Sequence, residues 1–324
     1  MVQVIRVAQY GGPEVLSLEN TTLGAPGAGE VQIEQKAIGL NYIDTYFRTG
    51  LYPAPSMPFT PGNEGAGVVT AVGAGVTGFK VGDRVAYVGA LGAYASARNI
   101  AVASLVKLPA KVSFEAGASM MLKGLTAEYL LFRTYKVKKG DTILVHAAAG
   151  GTGSILVQWA KSLGVTVIGT VGSPEKAKLA KKHGCDHIID YSKEDFAARV
   201  KEITKGALCD VVYDGVGKST YPASLDCLKP FGYLVSFGNA SGAITSFDIG
   251  LLGKKGNLYV TRPTLFNYIN DPKRYAAMAR RLFTAVGNGT VKIPATQTFP
   301  LAKVADAHRA LEGRQTTGST VLLP

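Results

Sequence analysis

A glycine-rich turn between a β-branched run and a helical pattern constrains this chain more than any other stretch. Residues 141–153 read Asp-Thr-Ile-Leu-Val-His-Ala-Ala-Ala-Gly-Gly-Thr-Gly, and the apolar run Thr142–Val145 predicts a strand. The residues after the turn predict a helix, because Ile155 and Trp159 are four positions apart. The β-branched run Val165–Val171 lies between two glycines and predicts the next strand. These elements together form a βαβ unit.

The turn matches a dinucleotide-binding fingerprint in which Ala148 replaces the first glycine. Gly150 allows the backbone to approach a pyrophosphate, and Gly153 allows the helix to pack closely on the strand. Gly151 and Thr152 lie at the helix N-terminus, where free N–H groups and the positive dipole end attract phosphate. A fingerprint alone is weak evidence, but the flanking strands and helix supply the context it needs. The sequence therefore predicts a dinucleotide site, the alternative being a glycine turn that binds nothing.

The end of the second strand predicts which dinucleotide binds. A site for NAD places Asp or Glu on the ribose 2′-hydroxyl, about 20 residues after the fingerprint opens. Here Gly172, Ser173 and Lys176 occupy that stretch, and a hydroxyl and an ammonium group suit a 2′-phosphate. Glu175 is the contrary residue, but it falls inside the next helix, which Ser173 caps and Pro174 begins. The residues therefore favour NADP(H).

The composition is that of a globular enzyme with two domains. The chain has 324 residues, of which 47% are hydrophobic, and this is enough for two sizeable cores. Its three cysteines have no metal-ligand spacing and are predicted to be buried. No secretory signal is visible at the N-terminus, so we expect the cytoplasm. Residues 142–160 are uncharged over the length of a membrane span, but three glycines argue against one, and no membrane partner is expected.

The net charge of +12 raises the alternative of a non-enzymatic, basic RNA-binding or structural protein. The basic residues are spread along the chain, without a dense block or a nucleic-acid motif. This distribution argues against nucleic acid as a main partner. An intact cofactor site is also something that a purely structural chain need not keep.

Several sequence blocks, taken in order, resemble the medium-chain dehydrogenase/reductase superfamily. They are Pro-Gly-Asn-Glu-Gly-Ala-Gly at 61–67, Gly-Asp-Arg-Val at 82–85, Leu-Lys-Gly-Leu-Thr at 122–126 and the turn at 147–153. The blocks at 41–46, 236–239 and 259–263 agree with it. The chain is most similar to the zinc-free quinone oxidoreductase branch, which includes zeta-crystallin, and the resemblance covers essentially the whole chain.

This resemblance implies an α/β fold, with a Rossmann doubly wound parallel-sheet cofactor domain inserted into a β-rich GroES-like catalytic domain. The implied boundaries are 1–124 plus 263–324 for the catalytic domain and 125–262 for the NADP(H)-binding domain. It also implies a homodimer formed by edge strands of the cofactor domains, here near Gly256–Val260. Each of these points is an expectation for the structure.

The chain departs from the zinc-dependent members of the superfamily at two ligand positions. Asn41 stands where those enzymes have a catalytic cysteine ligand, and Asn63 stands where they have a histidine. A neutral amide is a poor zinc ligand beside thiolate and imidazole. The sequence therefore predicts a protein without a metal.

The resemblance also implies the function and its residues. The reaction would be NADPH-dependent reduction of a quinone, by one- or two-electron transfer, and the alternative is reduction of an alkenal or enone. Without a metal the developing oxyanion needs hydrogen-bond donors, and the family positions for these are Asn41, Tyr46 and Tyr52. Asp44 is expected to orient its neighbours.

Further cofactor contacts are expected beyond the glycine turn. Lys123, Thr126 and Arg314 are placed near the nicotinamide half, and Tyr191 near the 2′-phosphate, by the resemblance. Two short apolar strands end near Gly217 and Gly238, and ligands of open parallel sheets bind beyond such strand ends. Phe237 and Gly238 are therefore candidates for the nicotinamide side, although they could equally be plain core residues.

Overall fold

The structure is a computed structural model that describes residues 1–293 and 295–324. In chain order the strands are β1 (Val2–Arg6), β2 (Ser17–Thr21), β3 (Glu30–Leu40), β4 (Glu64–Val72), β5 (Arg84–Val88), β6 (Ala97–Ala101), β7 (Leu105–Lys107), β8 (Thr142–Val145), β9 (Thr166–Val171), β10 (His187–Asp190), β11 (Cys209–Asp214), β12 (Leu228–Ser236), β13 (Tyr259–Thr261), β14 (Ala295–Pro300) and β15 (Ser319–Leu323). The α-helices are α1 (Tyr42–Thr49), α2 (Phe114–Tyr129), α3 (Gly151–Ser162), α4 (Pro174–His183), α5 (Phe196–Ile203), α6 (Gly250–Lys254), α7 (Leu265–Ile269), α8 (Pro272–Gly287) and α9 (Val304–Glu312).

The chain forms two compact units. The segments of the first unit are Met1–Lys123, Asp271–Phe283 and Ile293–Pro324, and those of the second unit are Gly124–Asn270 and Thr284–Lys292. The sequence-based boundaries assigned everything from residue 263 onward to the catalytic domain. The structure divides that stretch between the two units.

The first unit is built on a largely antiparallel sheet with the order β14-β15-β3-β4-β5-β7. Strand β3 is long enough to pair with β6 along its first half and with β15 at its end. Its side chains alternate, with Val31 and Ile33 buried and Glu34 exposed. One face of this sheet therefore packs into a core, which Val85 and Leu322 share.

The second unit contains a parallel sheet with the order β10-β9-β8-β11-β12-β13. The chain moves outward from β8 to β10, and it then crosses back to place β11 on the other side of β8. This reversal is the topological switch point of a doubly wound sheet, where ligands bind beyond the strand ends. The predicted fold class is confirmed. Trp159 on α3 is buried in the second unit, and its ring centroid lies 5.3 Å from that of Phe132.

Several predicted elements begin or end within a few residues of their observed positions. Ser173 caps α4, because its hydroxyl oxygen accepts the Lys176 N–H at 3.3 Å, and Pro174 begins the helix. Helix α1 begins at Tyr42, since β3 still pairs with β15 as far as Leu40.

The remaining predictions concern cysteines and membrane segments. Cys185, Cys209 and Cys227 are buried free thiols, as predicted. The uncharged residues 142–160 divide into β8, the glycine turn and most of α3. In the part of the chain that the structure describes, no helix has the length and apolarity needed to cross a bilayer.

Candidate active site and cofactor site

The glycine turn of the second unit connects Val145, the last residue of β8, to the start of α3. Gly150 is extended and precedes the helix. A Cβ atom on Gly153 would lie 2.3 Å from the carbonyl oxygen of Ala147, a distance that no side chain can accept. A Cβ atom on Gly150 would lie 3.1 Å from the same oxygen. The glycines thus allow the close approach of helix and strand that a dinucleotide turn requires.

The first turn of α3 has backbone N–H groups that lie before the first hydrogen bond of the helix. The first backbone hydrogen bond into the helix runs from the Ser154 N–H to the Gly150 oxygen at 2.8 Å. The N–H groups of Gly151, Thr152 and Gly153 come before this bond, at the positive end of the helix dipole. A helix of twelve residues with such a start suits a pyrophosphate.

The residues predicted to bind the 2′-phosphate lie together after β9. A Cβ atom on Gly172 would lie 2.4 Å from the Tyr191 hydroxyl oxygen, so the phenol of Tyr191 packs directly on Gly172. Ser173 and Lys176 form the first turn of α4 in the same region, and Lys176 is half-buried. The structure brings these four residues together at one strand end.

Phe237 and Gly238 lie in the loop that follows β12, where they pack on the loop that follows β11. The Phe237 N–H donates to the backbone carbonyl oxygen of Asp214 at 2.8 Å. A Cβ atom on Gly238 would lie 2.3 Å from the Gly215 oxygen. These two loops therefore meet beyond the ends of neighbouring strands. Thr126 is also in the second unit, where it is buried on α2.

A buried polar network lies beneath the glycine turn, and the sequence analysis missed it. His146 follows β8, and its Nδ1 and Nε2 atoms lie 3.0 Å from the Thr170 and Ser224 hydroxyl oxygens. Ser224 and Thr220 donate to Asp214 Oδ2 at 3.2 and 2.7 Å. Burial lowers the pKa of His146, although Asp214 acts against this shift. The network joins the ends of β8, β9 and β11.

In the first unit, Asn41 and Lys123 meet at Glu64, a residue that the sequence analysis did not select. The Asn41 side-chain amide donates to Glu64 Oε1 at 2.7 Å, and the Lys123 ammonium donates to the same oxygen at 3.2 Å. Lys123 also donates to the Leu40 carbonyl at 3.3 Å, and the Leu122 N–H donates to Glu64 Oε2 at 2.7 Å. Asn41, Glu64 and Lys123 are all buried.

Asp44 is the second buried carboxylate of this unit. It accepts hydrogen bonds from the Asn41 N–H, the Asn63 amide and the Tyr94 hydroxyl, each at 2.9 Å. Complete burial raises the pKa of Asp44 to about 6, and these donors oppose the rise. Asp44 orients Asn41 and Asn63, in keeping with the role expected of it.

Arg48 and His308 extend the network of Asp44 away from Asn41. The Tyr94 hydroxyl lies 3.0 Å from His308 Nε2, and Arg48 Nη1 lies 2.9 Å from His308 Nδ1. Arg48 also forms two hydrogen bonds with the carboxylate of Glu312, at 2.9 and 2.7 Å. Burial, with a contribution from Arg48, lowers the pKa of His308 to about 3.

Tyr46, Tyr52 and Arg314 complete the predicted site residues of this unit. The rings of Tyr46 and Tyr52 meet edge to face with centroids 5.3 Å apart. The Tyr52 N–H donates to the backbone carbonyl oxygen of Tyr46 at 3.0 Å. Arg314 is exposed after α9, with φ at +58°. The substrate role of the tyrosines and the cofactor role of Arg314 stay predictions.

Comparisons with known proteins agree with this architecture. Residues 27–141 match a family model described as alcohol dehydrogenase GroES-like domain, and residues 151–283 match one described as zinc-binding dehydrogenase. The chain is 56% identical to a quinone oxidoreductase of Pseudomonas aeruginosa, and the match covers 100% of both chains. This chain belongs to the quinone oxidoreductase branch of the medium-chain dehydrogenase/reductase superfamily. The resemblance seen in the sequence is confirmed.

Two further relatives give the range of this branch. A crystal structure of Escherichia coli quinone oxidoreductase complexed with NADPH has a TM-score of 0.98 and 48% identity, covering 99% of this chain and 100% of that one. A 2-haloacrylate reductase of Burkholderia is 46% identical, over 100% of this chain and 99% of the relative. The branch therefore includes reductases named for different acceptors.

The zinc positions of the superfamily are occupied by hydrogen-bonded amides in this member. The Asn41 amide nitrogen donates to Glu64 and the Asn63 amide nitrogen donates to Asp44. Asn would bind a metal through its amide oxygen, which is a poorer zinc ligand than thiolate or imidazole. Among residues 1–293 and 295–324, no three His, Cys, Asp or Glu side chains are grouped as metal ligands.

Proposed function

We propose that this quinone oxidoreductase family member is an NADPH-dependent reductase of quinones. The observation that carries the proposal is the full-length similarity to the quinone oxidoreductases of two bacteria, one of them solved with NADPH. The glycine turn and the groups after β9 support the cofactor. The hydrogen-bond donors of the first unit support a quinone as the compound that is reduced.

The residues that would hold NADPH fall into three sets in the second unit. The first turn of α3, from Gly151 to Gly153, would bind the pyrophosphate. Ser173, Lys176 and Tyr191 would bind the 2′-phosphate through two hydroxyls and an ammonium group. Thr126, Phe237 and Gly238 would contact the nicotinamide side. When bound, NADPH supplies the reducing hydride.

The first unit would supply hydrogen-bond donors to the substrate oxygen. A quinone carbonyl gains negative charge on reduction, and preorganised donors stabilise that charge. An amide has two N–H bonds, and Glu64 engages the Asn41 amide at 2.7 Å, which fixes the orientation of the group. The phenols of Tyr46 and Tyr52 are the other candidate donors. A quinone is already electron-poor, so neutral donors suffice.

The second candidate function is reduction of a conjugated carbon–carbon double bond. The relative named 2-haloacrylate reductase, 46% identical over the whole chain, favours this alternative. Hydride would then go to carbon, and a proton would be delivered to the neighbouring carbon. The two activities need different acceptors, so a direct assay separates them.

We also propose that the protein is a cytoplasmic homodimer. Strand β13 lies at the edge of the six-stranded sheet, and Tyr259 on it is 50% exposed. Phe231 and Ile249 are 62% and 76% exposed, and the Phe231 N–H donates to Gly256 beside this edge. An open edge with exposed apolar side chains favours pairing with a second copy. Light scattering should then give twice the chain mass of 34.0 kDa.

The test of the proposed function is NADPH oxidation by the purified, chelator-treated protein. One set of reactions contains 1,4-benzoquinone or 1,2-naphthoquinone, and the other contains a 2-alkenal or a 2-haloacrylate. Turnover with the quinones that survives the chelator supports the proposal. Turnover with the unsaturated compounds alone would assign the second function, and no NADPH oxidation with any acceptor would contradict both functions.

A further inference from the structure

A chain of hydrogen bonds in the first unit has only one possible direction. The Arg48 guanidinium has no acceptor atom, so His308 Nδ1 must accept the bond between them at 2.9 Å. A neutral imidazole then has its hydrogen on Nε2, and this nitrogen donates to the Tyr94 hydroxyl oxygen at 3.0 Å. The hydroxyl hydrogen of Tyr94 is thereby directed to Asp44 Oδ2 at 2.9 Å.

Asp44 connects this chain to the start of α1. Its Oδ2 atom also accepts the N–H of Asn41 at 2.9 Å, and that bond closes the first turn of the helix. The side chain of Asn41 is held in turn by Glu64. A displaced or protonated Asp44 would therefore release the backbone of the residue that is expected to meet the substrate oxygen.

We propose that Arg48, His308 and Tyr94 are positioning residues, which act through the Asp44 carboxylate to hold Asn41 in place for catalysis. This proposal rests on the proposed function, because Asn41 is the predicted substrate contact. Glu312 fixes the Arg48 guanidinium by two hydrogen bonds, so the first donor of the chain cannot turn away. In the other His308 tautomer, two donors would face each other at Arg48.

The groups around Asp44 make its ionisation sensitive to this chain. The charged and titratable side chains connected to it, directly or through further hydrogen bonds, are Tyr94, His308 and Glu312 of α9, Arg48 of α1, and Glu64 of β4 with its partner Lys123. All three direct partners of Asp44 are donors in this arrangement. Each of these donors therefore favours the charged form of Asp44 over the protonated one.

The pH dependence of stability tests the chain without any assay of activity. Tyr94→Phe removes one donor from the carboxylate and keeps the ring. A hydrogen bond to a charged group is strong enough to move the Asp44 titration upward by about one pH unit when it is lost. The variant is therefore destabilised more at pH 8, where Asp44 is ionised, than at pH 5. The difference in melting temperature from the parent protein should widen as pH rises.

Tyr87→Phe is the matched control for this measurement. Tyr87 is also fully buried in the first unit, and its hydroxyl donates to Gln35 Oε1 at 2.7 Å, a neutral acceptor. Its loss should lower the melting temperature by the same amount at pH 5 and pH 8. A Tyr94→Phe effect that is equally flat would overturn the proposal. In an Asp44→Asn background the pH dependence of Tyr94→Phe should disappear.

Two substitutions at His308 provide a second, independent comparison. The amide of His308→Gln can accept from Arg48 through oxygen and donate to Tyr94 through nitrogen, so it preserves the direction of the chain. His308→Leu breaks the chain at the same place, and neither variant has a titrating ring. The melting temperature of the Leu variant should fall further below that of the Gln variant at pH 8 than at pH 5. Equal differences at both pH values would contradict the proposal.

The activity measurement then links the chain to catalysis. The acid limb of kcat/KM for 1,2-naphthoquinone should move upward by about one pH unit in Tyr94→Phe, which loses a donor to Asp44. It should move in the same direction in His308→Leu, because the Tyr94 hydroxyl hydrogen is then no longer held on Asp44. It should stay in place in Tyr87→Phe and in His308→Gln. A shifted stability profile with an unmoved acid limb would refute the catalytic part. A shifted stability profile in a protein that reduces no quinone would instead refute the proposed function.

Discussion

The two units each contain a buried histidine that is hydrogen-bonded at both ring nitrogens, and the two networks differ in what fixes them. His308 has Arg48 on one side, and a guanidinium can only donate. His146 has the hydroxyls of Thr170 and Ser224, and the Ser224 hydroxyl hydrogen is donated to Asp214. The direction of the first network is set by a cation, while that of the second is set by the Asp214 carboxylate, which leaves Ser224 to accept from His146 Nε2.

The same contrast extends to the sites that the networks support. The first unit buries charges, namely the Glu64–Lys123 pair and the Asp44 carboxylate, whose partners must all be present. The turn of the second unit depends on glycines that leave no room for a side chain, as at Gly153. One site should therefore be sensitive to the loss of a charge, and the other to the addition of an atom.

The largest expected effect is that of Glu64→Gln. This change leaves the Lys123 ammonium buried with a carbonyl and an amide but no counter-charge, and breaking a buried pair costs about 3–5 kcal/mol. Urea unfolding of the full chain measures the loss. Glu202→Gln is the control, because Glu202 pairs with Arg199 at the surface and its removal should change little. A small loss of unfolding free energy in Glu64→Gln would contradict the inference that the first unit is the one sensitive to the loss of a charge.

The next effect is the acid sensitivity contributed by His308. Its folded pKa of about 3 lies below the ordinary value of 6.5, so the unfolded chain binds the proton first as pH falls. The contribution of His308 to the free energy of unfolding is fully present above pH 6.5 and is lost as pH falls towards 3. His308→Gln should therefore lose about 3 kcal/mol less than the parent protein between pH 7 and pH 4. Unfolding at the two pH values checks this, and identical losses would contradict it.

A smaller effect is expected for Gly153→Ala in the second unit. The added methyl group would meet the Ala147 oxygen at 2.3 Å, and such overpacking costs about 1–3 kcal/mol. NADPH binding should weaken as the turn shifts, which calorimetry can measure. Gly253→Ala is the control, since a Cβ atom there has no neighbour within 4 Å among the described residues. Equal behaviour of the two variants would show that the turn tolerates a side chain.

The smallest effect is expected for a charge at the edge of the cofactor site. Lys176→Met should weaken NADPH binding by about tenfold, because a hydrogen-bonded charge opposite the 2′-phosphate is lost. NADH has no such phosphate, and its binding should not change. Lys178→Met, on the exposed face of the same helix, is the control. An equal loss for NADPH and NADH would refute the assignment of the 2′-phosphate.

The sequence predicted the second unit better than the interior of the first. The strand, turn and helix around Gly153 are encoded by adjacent residues, and hydrophobic period and glycine position are local signals. The resemblance located Asn41 and Asp44. It did not indicate Arg48 or Tyr94, because their partner His308 lies 260 residues from Arg48 and such a contact leaves no local pattern. Glu64 was visible in its motif, but its burial with Lys123 was not.

The position of Trp159 on α3 gives the protein an internal optical probe. It is the single tryptophan of the chain, and it lies nine residues after Gly150, roughly 13 Å along the helix axis. The emission band of a buried indole overlaps the absorption band of a reduced nicotinamide. Excitation of this residue should therefore sensitise emission from a reduced dinucleotide seated at the turn, and oxidation of the dinucleotide should abolish the signal.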